Sequence, residues 1–581
     1  MSEKKMINLK INDIPVTVPE GTTILEAALD AGIKIPTLCF LKNVNEIGAC
    51  RICVVEVKGA RSLVASCVYP VSEGMEVQTN TPKVRESRRM TLELILSNHR
   101  MECLTCSRNA HCELRALAAE FGIDAVRYAA DGLLPRIENS APHLVRDNSK
   151  CVLCRRCTAT CRKLQDVGVI AATDRGFQTH IGSAFDRDLN EVDCVNCGQC
   201  IVACPVGALY EKDDTQKIMD AIADPTKHVA ICAAPSIRAT IGESFGYAPG
   251  TDVEGKMVAA MKALGFDGVY DMNLTADLTI MEEATELLDR VNNGGKLPLI
   301  TSCSPGWIKY CEHYFPQFTE NLSTCKSPQQ MFGAMYKTYY AQKMGLDPKD
   351  IFFVSAIPCT AKKFEVGRDG QSAAGVPDVD VAITTRELAR MIQKAGIDFC
   401  ALDDEKFDAP FEIGSGAGAI FGATGGVMEA ALRMAAEVIM GKKLEKLEFE
   451  DVRGIAGIKT AAYKLGDLEV KVAVASGTAN AKKLLEAVEA GELDVQFIEI
   501  MACPGGCVNG GGQPYQPAVV RNNVNLRELR ASVLYKADAN MELRKSQDNP
   551  AVNRLYEEFL GKPGSHKAHE LLHTPYVKRG M

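Results

Sequence analysis

The sequence predicts a multidomain protein in which small α+β domains precede one large α/β domain. The chain has 581 residues, and a single hydrophobic core rarely grows past roughly 250–300 residues. Fifteen of its 23 cysteines fall before residue 205, in closely spaced runs. From about Lys227 onward, short apolar runs alternate with helical patterns, which is typical of an α/β sheet.

The composition is that of an ordinary globular protein, with 46% hydrophobic and 24% charged residues. A formal net charge of −8 argues against a nucleic-acid partner, because binding to phosphates favours a basic surface. The polar start of the chain passes directly into a strand pattern, without the apolar core of a signal peptide. No apolar stretch of roughly 20 residues could span a bilayer. We therefore expect a cytoplasmic protein with no membrane partner.

The number of cysteines is the unusual feature of this composition. A reducing cytoplasm disfavours disulfides, so metal binding or thiol catalysis is the better explanation. The grouping of the N-terminal cysteines in runs with ligand spacing favours metal. Zinc and iron–sulfur clusters are the two candidates, and the spacing of each run has to discriminate between them.

Residues 1–80 are predicted to form a small domain with a sheet and one crossing helix. Residues 6–11 alternate between apolar and polar side chains as a strand does, and residues 15–18 are predicted as the returning strand. Thr23 and Glu26 have the spacing of a capping box, which predicts a helix that begins directly after Thr23.

Four cysteines of this domain lie around a strand predicted at residues 51–57. They are Cys39, Cys50, Cys53 and Cys67. Four cysteines could hold zinc, and their spacing differs from that of plant-type ferredoxins. The pattern Cys-x10-Cys-x2-Cys-x13-Cys nevertheless resembles the β-grasp domain that carries a [2Fe–2S] cluster, which implies one such cluster here.

Residues 81–140 are predicted as a second module, which begins with a helix at residues 84–98. Its pattern His-x3-Cys-x2-Cys-x5-Cys is formed by His99, Cys103, Cys106 and Cys112. One histidine and three cysteines could bind zinc as well as iron, and His99 could instead merely cap the helix. The pattern resembles the histidine-ligated [4Fe–4S] module that follows β-grasp domains in hydrogenases and in respiratory complex I.

Residues 141–212 carry two runs with the spacing Cys-x2-Cys-x2-Cys-x3-Cys, which begin 43 residues apart. This is the run of two-cluster bacterial ferredoxins, in which the fourth cysteine of each run binds the other cluster. Zinc ribbons use paired Cys-x2-Cys motifs instead. We predict two [4Fe–4S] clusters, one on Cys151, Cys154, Cys157 and Cys204, the other on Cys194, Cys197, Cys200 and Cys161.

Residues 213–581 are predicted as one large α/β domain with a small helical segment from about residue 520 to 581. Strands are predicted at residues 228–233, 297–301, 351–357, 379–383, 470–475 and 497–501, with helices such as 279–292 and 327–343 between them. Several of these strands end in turns that carry cysteine or serine. Because open α/β sheets bind ligands beyond the carboxyl ends of their strands, we expect these turns to converge on one site.

Three segments of this domain carry long motifs. They are Thr301-Ser302-Cys303-Ser304-Pro305-Gly306-Trp307, residues 357–365 around Cys359, and residues 501–514 around Cys503 and Cys507. Together they resemble the three signature motifs of iron-only ([FeFe]) hydrogenases. With the N-terminal modules, the resemblance covers essentially the whole chain. It implies an H-cluster, a [4Fe–4S] cubane bridged to a diiron subsite with CO, CN and dithiolate ligands.

The resemblance also implies roles for individual residues. Cys359, Cys503 and Cys507 match cubane ligands, with Cys507 as the bridge to the diiron subsite, and Lys362 matches the residue that donates to a cyanide. The positions that match the pocket wall are Pro235, Ser236, Ser327, Gln329, Phe421 and Met501. No side chain can supply CO or CN, so the resemblance also implies maturation enzymes as partners.

The first motif departs from the commonest form in the family, where two adjacent cysteines precede the proline. The first of those cysteines relays protons and the second ligates the cubane. Strict alignment makes Cys303 the relay and Ser304 the fourth cubane ligand, yet thiolate is a softer and better ligand for an iron–sulfur cluster than hydroxyl. In the alternative, Cys303 ligates and Ser304 relays. The sequence leaves both open.

Proton supply has its own candidates. Glu283, Glu286 and Arg290 have the spacing i, i+3 and i+7 and therefore share one helix face. Such a stripe is usually a solvated surface, but these positions, together with Ser323, match the proton path of the family. A buried carboxylate with a raised pKa can carry protons near neutral pH. The cysteines left over are predicted to be small buried hydrophobic residues: Cys232, Cys311, Cys325 and Cys400.

The predicted function is the reversible oxidation of H2 to protons and electrons, which leave through the accessory clusters. Ferredoxin is one expected acceptor. The motif variant and the full set of cluster modules are similar to the hydrogen-converting subunit of multimeric NAD(P)-linked complexes, electron-bifurcating ones included, which implies flavin- and NAD(P)-binding partner subunits. Two alternatives remain, a non-catalytic electron-transfer subunit of the complex I or formate dehydrogenase kind, and a hydrogen-sensing or cluster-assembly relative with low turnover.

Overall fold

The computed structural model describes residues 5–128, 136–411, 413–466 and 468–579. The first four residues of the predicted first domain lie outside these ranges, and so do residues 129–135 of the predicted second module. Across the described ranges, no helix combines the length and the apolar character that a membrane crossing requires.

The N-terminal sheet has five strands. Their order is Ile14–Pro19, Met6–Ile11, Glu76–Gln78, Val54–Val57 and Val64–Ala65. Alternate residues of the first strand are buried, because successive side chains of a strand point to opposite faces. The crossing helix spans Ile24–Asp30 and begins with the predicted capping box of Thr23 and Glu26. The strand predicted from residue 51 begins only at Val54, since the preceding residues form the loop that carries Cys50 and Cys53.

Helices and two small sheets form the part of the chain that contains the next cysteine runs. The helices are Pro82–Ser97, Glu113–Glu120, Arg156–Lys163 and Gln199–Ala203. One small sheet has the order Leu209–Glu211, Leu144–Asp147, Ile137–Glu138, and the other is a hairpin of Ala171–Thr173 and His180–Gly182. Helices Arg156–Lys163 and Gln199–Ala203 pack against each other, which brings the two ferredoxin-like runs together.

Two four-stranded sheets build the large domain. The first is wholly parallel, with the order Gly268–Asp271, His228–Ala233, Ile351–Ala356, Val381–Ile383. The second has the order Leu299–Ile300, Phe497–Met501, Leu468–Ser476, Ile458–Leu465, and its last pair is antiparallel. Strands buried on both faces appear in a sequence as continuous apolar runs. Two such runs, 228–233 and 497–501, have the bounds that the sequence predicts.

Helices cover both sheets. Those of the large domain are Thr215–Ala223, Glu254–Ala263, Asn273–Asn293, Pro305–Tyr314, Pro328–Met335, Ala341–Met344, Ala361–Val366, Thr385–Lys394, Gly416–Ala419, Gly426–Met440 and Thr478–Glu489, and those of the C-terminal segment are Ala518–Asn523, Leu526–Asn540, Pro550–Leu555 and His566–Leu572. The helix Asn273–Asn293 packs against several others, and its first half is buried. It therefore carries polar side chains into the interior. A π-helical turn at Tyr336–Tyr340 interrupts the helix predicted at 327–343.

Candidate active site

Loops from both sheets of the large domain enclose one cavity. It contains about 790 Å³ of empty volume and lies beyond the carboxyl ends of three strands, His228–Ala233, Ile351–Ala356 and Phe497–Met501. The cysteines that line it are Cys197, Cys303, Cys359, Cys503 and Cys507. Four of them come from the three long motifs, and one comes from the ferredoxin-like module.

Five of the six predicted wall residues also line this cavity: Pro235, Ser236, Gln329, Phe421 and Met501. Ser327 is not among the lining residues, so its place in the wall stays a prediction. Ser327 directly precedes the helix Pro328–Met335, and its hydroxyl donates a hydrogen bond to Glu365 at 2.8 Å.

Glu365 is a residue of the site that the sequence reasoning missed. Its Oε2 accepts hydrogen bonds from Ser327 Oγ at 2.8 Å, from Gln329 Nε2 at 3.2 Å and from Lys362 Nζ at 2.8 Å. Lys362 and Glu365 are both buried, and a buried ammonium group needs a counter-charge. The i, i+3 spacing of Lys362 and Glu365 was the signal that could have revealed the pair.

Two buried polar atoms at the cavity, Ser236 Oγ and Gln329 Oε1, have no hydrogen-bond partner among the described residues. Leaving such an atom unpaired costs about 1–3 kcal/mol, so the cavity fits a group that offers polar partners. The backbone at Gly510 lies so close to the Pro358 carbonyl that a Cβ would collide with it. Soft sulfur donors, unpaired polar atoms and a close glycine backbone together fit a bulky sulfur-ligated metal cofactor.

Cys303 and Ser304 have different surroundings. The pKa of the Cys303 thiol is raised well above its usual value, first by burial and next by the nearby carboxylate of Glu283. The Ser304 hydroxyl oxygen accepts a hydrogen bond from the Ala502 N–H at 3.2 Å, which places it beside the loop of Cys503. The thiol is thus close enough to Glu283, a predicted proton carrier, to feel its charge, and the hydroxyl is next to a predicted cubane ligand.

The predicted proton-path residues form a row that leads away from Cys303. Glu283 is 1% exposed, and its carboxylate oxygens have no partner in the described part of the chain. Burial, and then repulsion from Glu286, raise the pKa of Glu283 to about 8. Ser323 Oγ donates to Glu286 Oε2 at 3.0 Å, and Arg290 Nη2 donates to Glu286 Oε1 at 2.6 Å. Arg290 is partly exposed, so the row reaches solvent.

Two further cavities lie in the ferredoxin-like module. One contains about 490 Å³ and is lined by Cys161, Cys194, Cys197 and Cys200. The other contains about 370 Å³ and is lined by Cys151, Cys154, Cys157 and Cys204. These groups match the predicted sets with exchanged fourth cysteines.

The spacing of these sulfur atoms bears on the choice of metal. Zn–S bonds of about 2.3 Å would draw four thiolates to within about 4 Å of one another. In the described ranges, no three of the predicted cluster ligands have ligand atoms that all lie within 4.8 Å of one another. The cysteine sets are therefore too wide for a single zinc ion and fit clusters with several metal atoms.

The cysteines of the N-terminal domain form two pairs. Cys53 Sγ and Cys67 Sγ are 3.3 Å apart. The backbone N–H groups of Cys39 and Cys50 each lie 3.4–3.5 Å from the sulfur of the other residue. Two pairs of thiols suit a cluster in which each of two irons takes two cysteines.

His99 is buried, and burial lowers its pKa, which favours the neutral imidazole that binds metals. Its Nδ1 has no partner within the described ranges. Cys106 packs against Gly207, where a Cβ would collide with its sulfur. The second module therefore contacts the ferredoxin-like module next to Cys204, a predicted ligand there.

Comparison with known proteins identifies the family. Residues 227–511 match the family described as iron only hydrogenase large subunit, C-terminal domain, and residues 524–579 match iron hydrogenase small subunit. The NADP-reducing hydrogenase subunit HndD of Solidesulfovibrio fructosivorans is 48% identical over 99% of this chain and 99% of its own length. The chain belongs to the iron-only hydrogenase family. It is an oxidoreductase acting on hydrogen, which excludes the alternative of a non-catalytic electron-transfer subunit.

The other modules of this hydrogenase match families of their own. Residues 4–82 match a 2Fe-2S iron-sulfur cluster binding domain, residues 88–127 the NADH-ubiquinone oxidoreductase-G iron-sulfur binding region, and residues 135–208 a 4Fe-4S dicluster domain. These matches, together with the observed sheets, confirm the predicted fold class.

Similarity to other known hydrogenases supports this family assignment. Iron hydrogenase 1 of Clostridium pasteurianum is 43% identical over 99% of this chain and 100% of its own length. A solved structure of an apo [FeFe]-hydrogenase HydA1 variant from Chlamydomonas reinhardtii has a TM-score of 0.57 and 40% identity, and it covers 64% of this chain and 100% of that chain.

Contacts between modules bring the ferredoxin-like part of this hydrogenase to the candidate active-site cavity. Cys197 lines both the cavity with Cys161 and the cavity with Cys507. Next to it, Gln199 Nε2 donates to the Asn509 carbonyl at 2.8 Å. One cysteine residue thus borders two proposed metal sites.

The cysteines without a predicted metal role divide into two kinds. Cys232, Cys311 and Cys325 are buried, as predicted. Cys400 is exposed, so its predicted burial is wrong. Cys400 lies in the loop after the helix Thr385–Lys394, where the chain runs along the surface.

Proposed function

We propose that this chain catalyses the reversible oxidation of H2 at an H-cluster held in the cavity lined by Cys359, Cys503 and Cys507 and passes the electrons through its accessory clusters. The observation that carries the proposal is that one cavity combines Cys359, Cys503 and Cys507 with Cys197 of the dicluster module. Catalytic ligands and an electron-transfer ligand therefore border the same space.

The residues of the cavity suit defined roles toward this cofactor. Cys359, Cys503 and Cys507 would hold the cubane, and Cys507 would bridge to the diiron subsite. Lys362, held by Glu365, would donate to a cyanide ligand. When bound, the cofactor supplies the iron site at which hydrogen is bound and a base for its proton. The wall residues Pro235, Ser236, Gln329, Phe421 and Met501 would enclose it.

We assign the relay to Cys303 and the fourth cubane position to Ser304. The electrostatic effect of Glu283 on the pKa of the Cys303 thiol supports the first assignment, and the position of Ser304 beside the Cys503 loop supports the second. Protons would then pass from Cys303 to Glu283, Ser323, Glu286 and Arg290. Glu283 suits this role because a pKa near 8 lets it change protonation state close to neutral pH.

Four accessory clusters would serve electron transfer. The first domain, residues 1–80, would hold one [2Fe–2S] cluster on Cys39, Cys50, Cys53 and Cys67. The module of residues 81–140 would hold a [4Fe–4S] cluster on His99, Cys103, Cys106 and Cys112. The module of residues 141–212 would hold two more on its exchanged cysteine sets, next to the catalytic domain of residues 213–581.

The proposed electron partners are ferredoxin and subunits that bind flavin and NAD(P). The name of the relative at 48% identity, an NADP-reducing hydrogenase subunit, supports the second kind. An electron-bifurcating complex would combine both. A reducing compartment such as the cytoplasm suits the many free thiols, and maturation enzymes would deliver the diiron subsite.

Hydrogen turnover before and after maturation tests the proposal. Purified chain from cells without maturation enzymes should contain cubanes but evolve no H2 from reduced methyl viologen. After maturation, infrared bands of CO and CN should appear together with turnover. Turnover without these bands, or the bands with no turnover, would contradict the proposal, and the second result would favour a hydrogen sensor.

A further inference from the structure

Cys325 and His573 lie opposite each other in an isolated antiparallel β-bridge that ties the C-terminal segment to the large domain. The Lys326 N–H donates to the Leu572 carbonyl at 2.7 Å, and the Thr574 N–H donates to the Thr324 carbonyl at 2.8 Å. The pair between these two hydrogen bonds is of the non-hydrogen-bonded kind, in which the facing side chains come closest together.

Glu286 completes a group of three donors at this bridge. Its Oε2 is 4.0 Å from Cys325 Sγ, and one ligand atom of each of Glu286, Cys325 and His573 lies within 4.8 Å of the others. A thiolate, an imidazole and a carboxylate are the three ligand types that zinc takes, at about 2.0–2.3 Å from the metal. We propose that these three residues form a binding site for a thiophilic divalent cation, Zn²⁺ or Cd²⁺, and that its occupancy slows hydrogen turnover.

The surroundings of His573 support metal binding. Its Nε2 is 3.2 Å from Glu282 Oε2, and its Nδ1 is 2.7 Å from the Thr324 hydroxyl. Whichever nitrogen binds the cation, the other keeps a hydrogen-bond partner. Such a partner orients a ligating imidazole and raises its basicity.

Glu286 can bind the cation without losing its ion pair. Arg290 contacts Oε1 at 2.6 Å, whereas Oε2 is the oxygen near Cys325. Binding forms a bond from sulfur to the metal and breaks the S–H bond of Cys325, whose proton goes to solvent. The thiolate and the two carboxylates of Glu286 and Glu282 then offset the charge of the cation and of Arg290.

The effect on turnover rests on the proposed proton path. Glu286 Oε2 is the oxygen that accepts the hydrogen bond from Ser323. Once this oxygen is bound to a cation, Glu286 no longer accepts a proton from that side. Protons then cannot pass between Glu283 and Arg290 along the row.

The test is a zinc titration of the fully loaded enzyme with two readouts. We expect one zinc per chain that resists desalting, a zinc X-ray absorption edge with a single sulfur ligand, and loss of most H2 evolution, which a chelator restores. The iron content should stay constant throughout. In Cys325→Ala and in His573→Asn, zinc should bind at least tenfold more weakly, and turnover should persist at zinc concentrations that stop the wild type.

Two matched variants control for other zinc ligands. Cys400→Ala removes the exposed cysteine, and Asp174→Asn alters the other ligand group that the described residues offer, Asp174 with His180 and Asp186. Both should behave as the wild type does. Equal zinc affinity in Cys325→Ala, His573→Asn and the wild type would refute the site, as would zinc uptake only with loss of iron. Sulfur-ligated zinc without inhibition would uphold the site and refute the path through Glu286.

Discussion

The peptide of Cys197 packs directly against Gly511. A Cβ at Gly511 would collide with the Cys197 carbonyl oxygen and with the backbone of Gly198. This contact holds a predicted ligand of an accessory cubane against the loop that follows Cys507. Because both backbones are in contact, the spacing between the two metal sites depends on a residue without a side chain.

Gly511→Ala should separate the two sites. The added methyl group meets backbone rather than a flexible side chain, so the loops must move apart, at a cost of about 1–3 kcal/mol in the free energy of unfolding. Hydrogen–deuterium exchange, which needs no net electron flow, should persist, while H2 oxidation coupled to an external acceptor should fall severalfold. Gly367→Ala is the control, since its nearest neighbour is the Phe364 carbonyl oxygen at 3.8 Å. Equal acceptor-linked rates in both variants would speak against the contact.

Glu283→Gln should reduce H2 evolution by about 10²–10⁴-fold, because an amide of the same shape cannot exchange protons. The infrared bands of the diiron subsite should remain, which shows that the cofactor is still in place. Asp289→Asn, on an exposed position of the same helix, should keep full turnover. A fully active Glu283→Gln would mean that protons take another route.

Glu283 should also make stability depend on pH. Its pKa is about 8 in the folded protein against a usual value of 4.5, so between these values the folded state binds a proton that the unfolded state lacks. Its contribution to stability is therefore fully present below pH 4.5 and is lost as the pH rises through 8. The half-life of the wild type at a fixed elevated temperature should shorten toward alkaline pH more steeply than that of Glu283→Gln. Parallel pH profiles for the two proteins would show that the pKa is not raised.

Substitutions at Cys303 and Ser304 separate relay from ligand. Cys303→Ala should leave the iron content and the electron paramagnetic resonance spectrum of the cubane intact and remove most turnover. Ser304→Ala should perturb or destabilise the cubane, because it removes the fourth ligand, and Ser304→Cys should retain it. Loss of the cubane in Cys303→Ala would reverse the assignment. No change in either alanine variant would mean that neither residue has the role its motif implies.

The metal content follows from the ligand sets. Four accessory clusters and an H-cluster amount to about 20 iron atoms per chain. His99→Ala should lower this number by about four and leave the other clusters in place, whereas the exposed neighbour His111, when changed to Ala, should retain all of them. Iron near half the expected value in the wild type, or zinc in stoichiometric amount, would contradict the assignment of the clusters.

Local patterns made much of this fold predictable. The ligands in a run such as Cys151 to Cys161 are close together in the sequence, so their spacing alone indicates the type of site. Buried strands such as His228–Ala233 appear as apolar runs. The strand Gly268–Asp271 was missed because its four residues are too few for a pattern. The edge strand Ile458–Leu465 was missed because much of it is exposed and carries polar side chains.

What the sequence could not predict depends on contacts between distant segments. Ser327 donates a hydrogen bond to Glu365. The i, i+3 spacing suggests that Lys362 and Glu365 pair, but only the packing of distant segments shows that both are buried. The different surroundings of Cys303 and Ser304 likewise depend on Glu283 and Ala502, which belong to other elements of the chain.

The cavity is lined by turns that follow strands of two different sheets, from Pro235 in the first to Cys507 in the second. Its walls therefore exist only in molecules in which both sheets have packed. A cofactor bound to this space favours the native state over every partly unfolded one by mass action. Substitutions far from the cavity that loosen either sheet should lower metal retention before they lower the amount of protein. Metal content then acts as a measure of folding quality, and proteolysis should remove the unloaded molecules first.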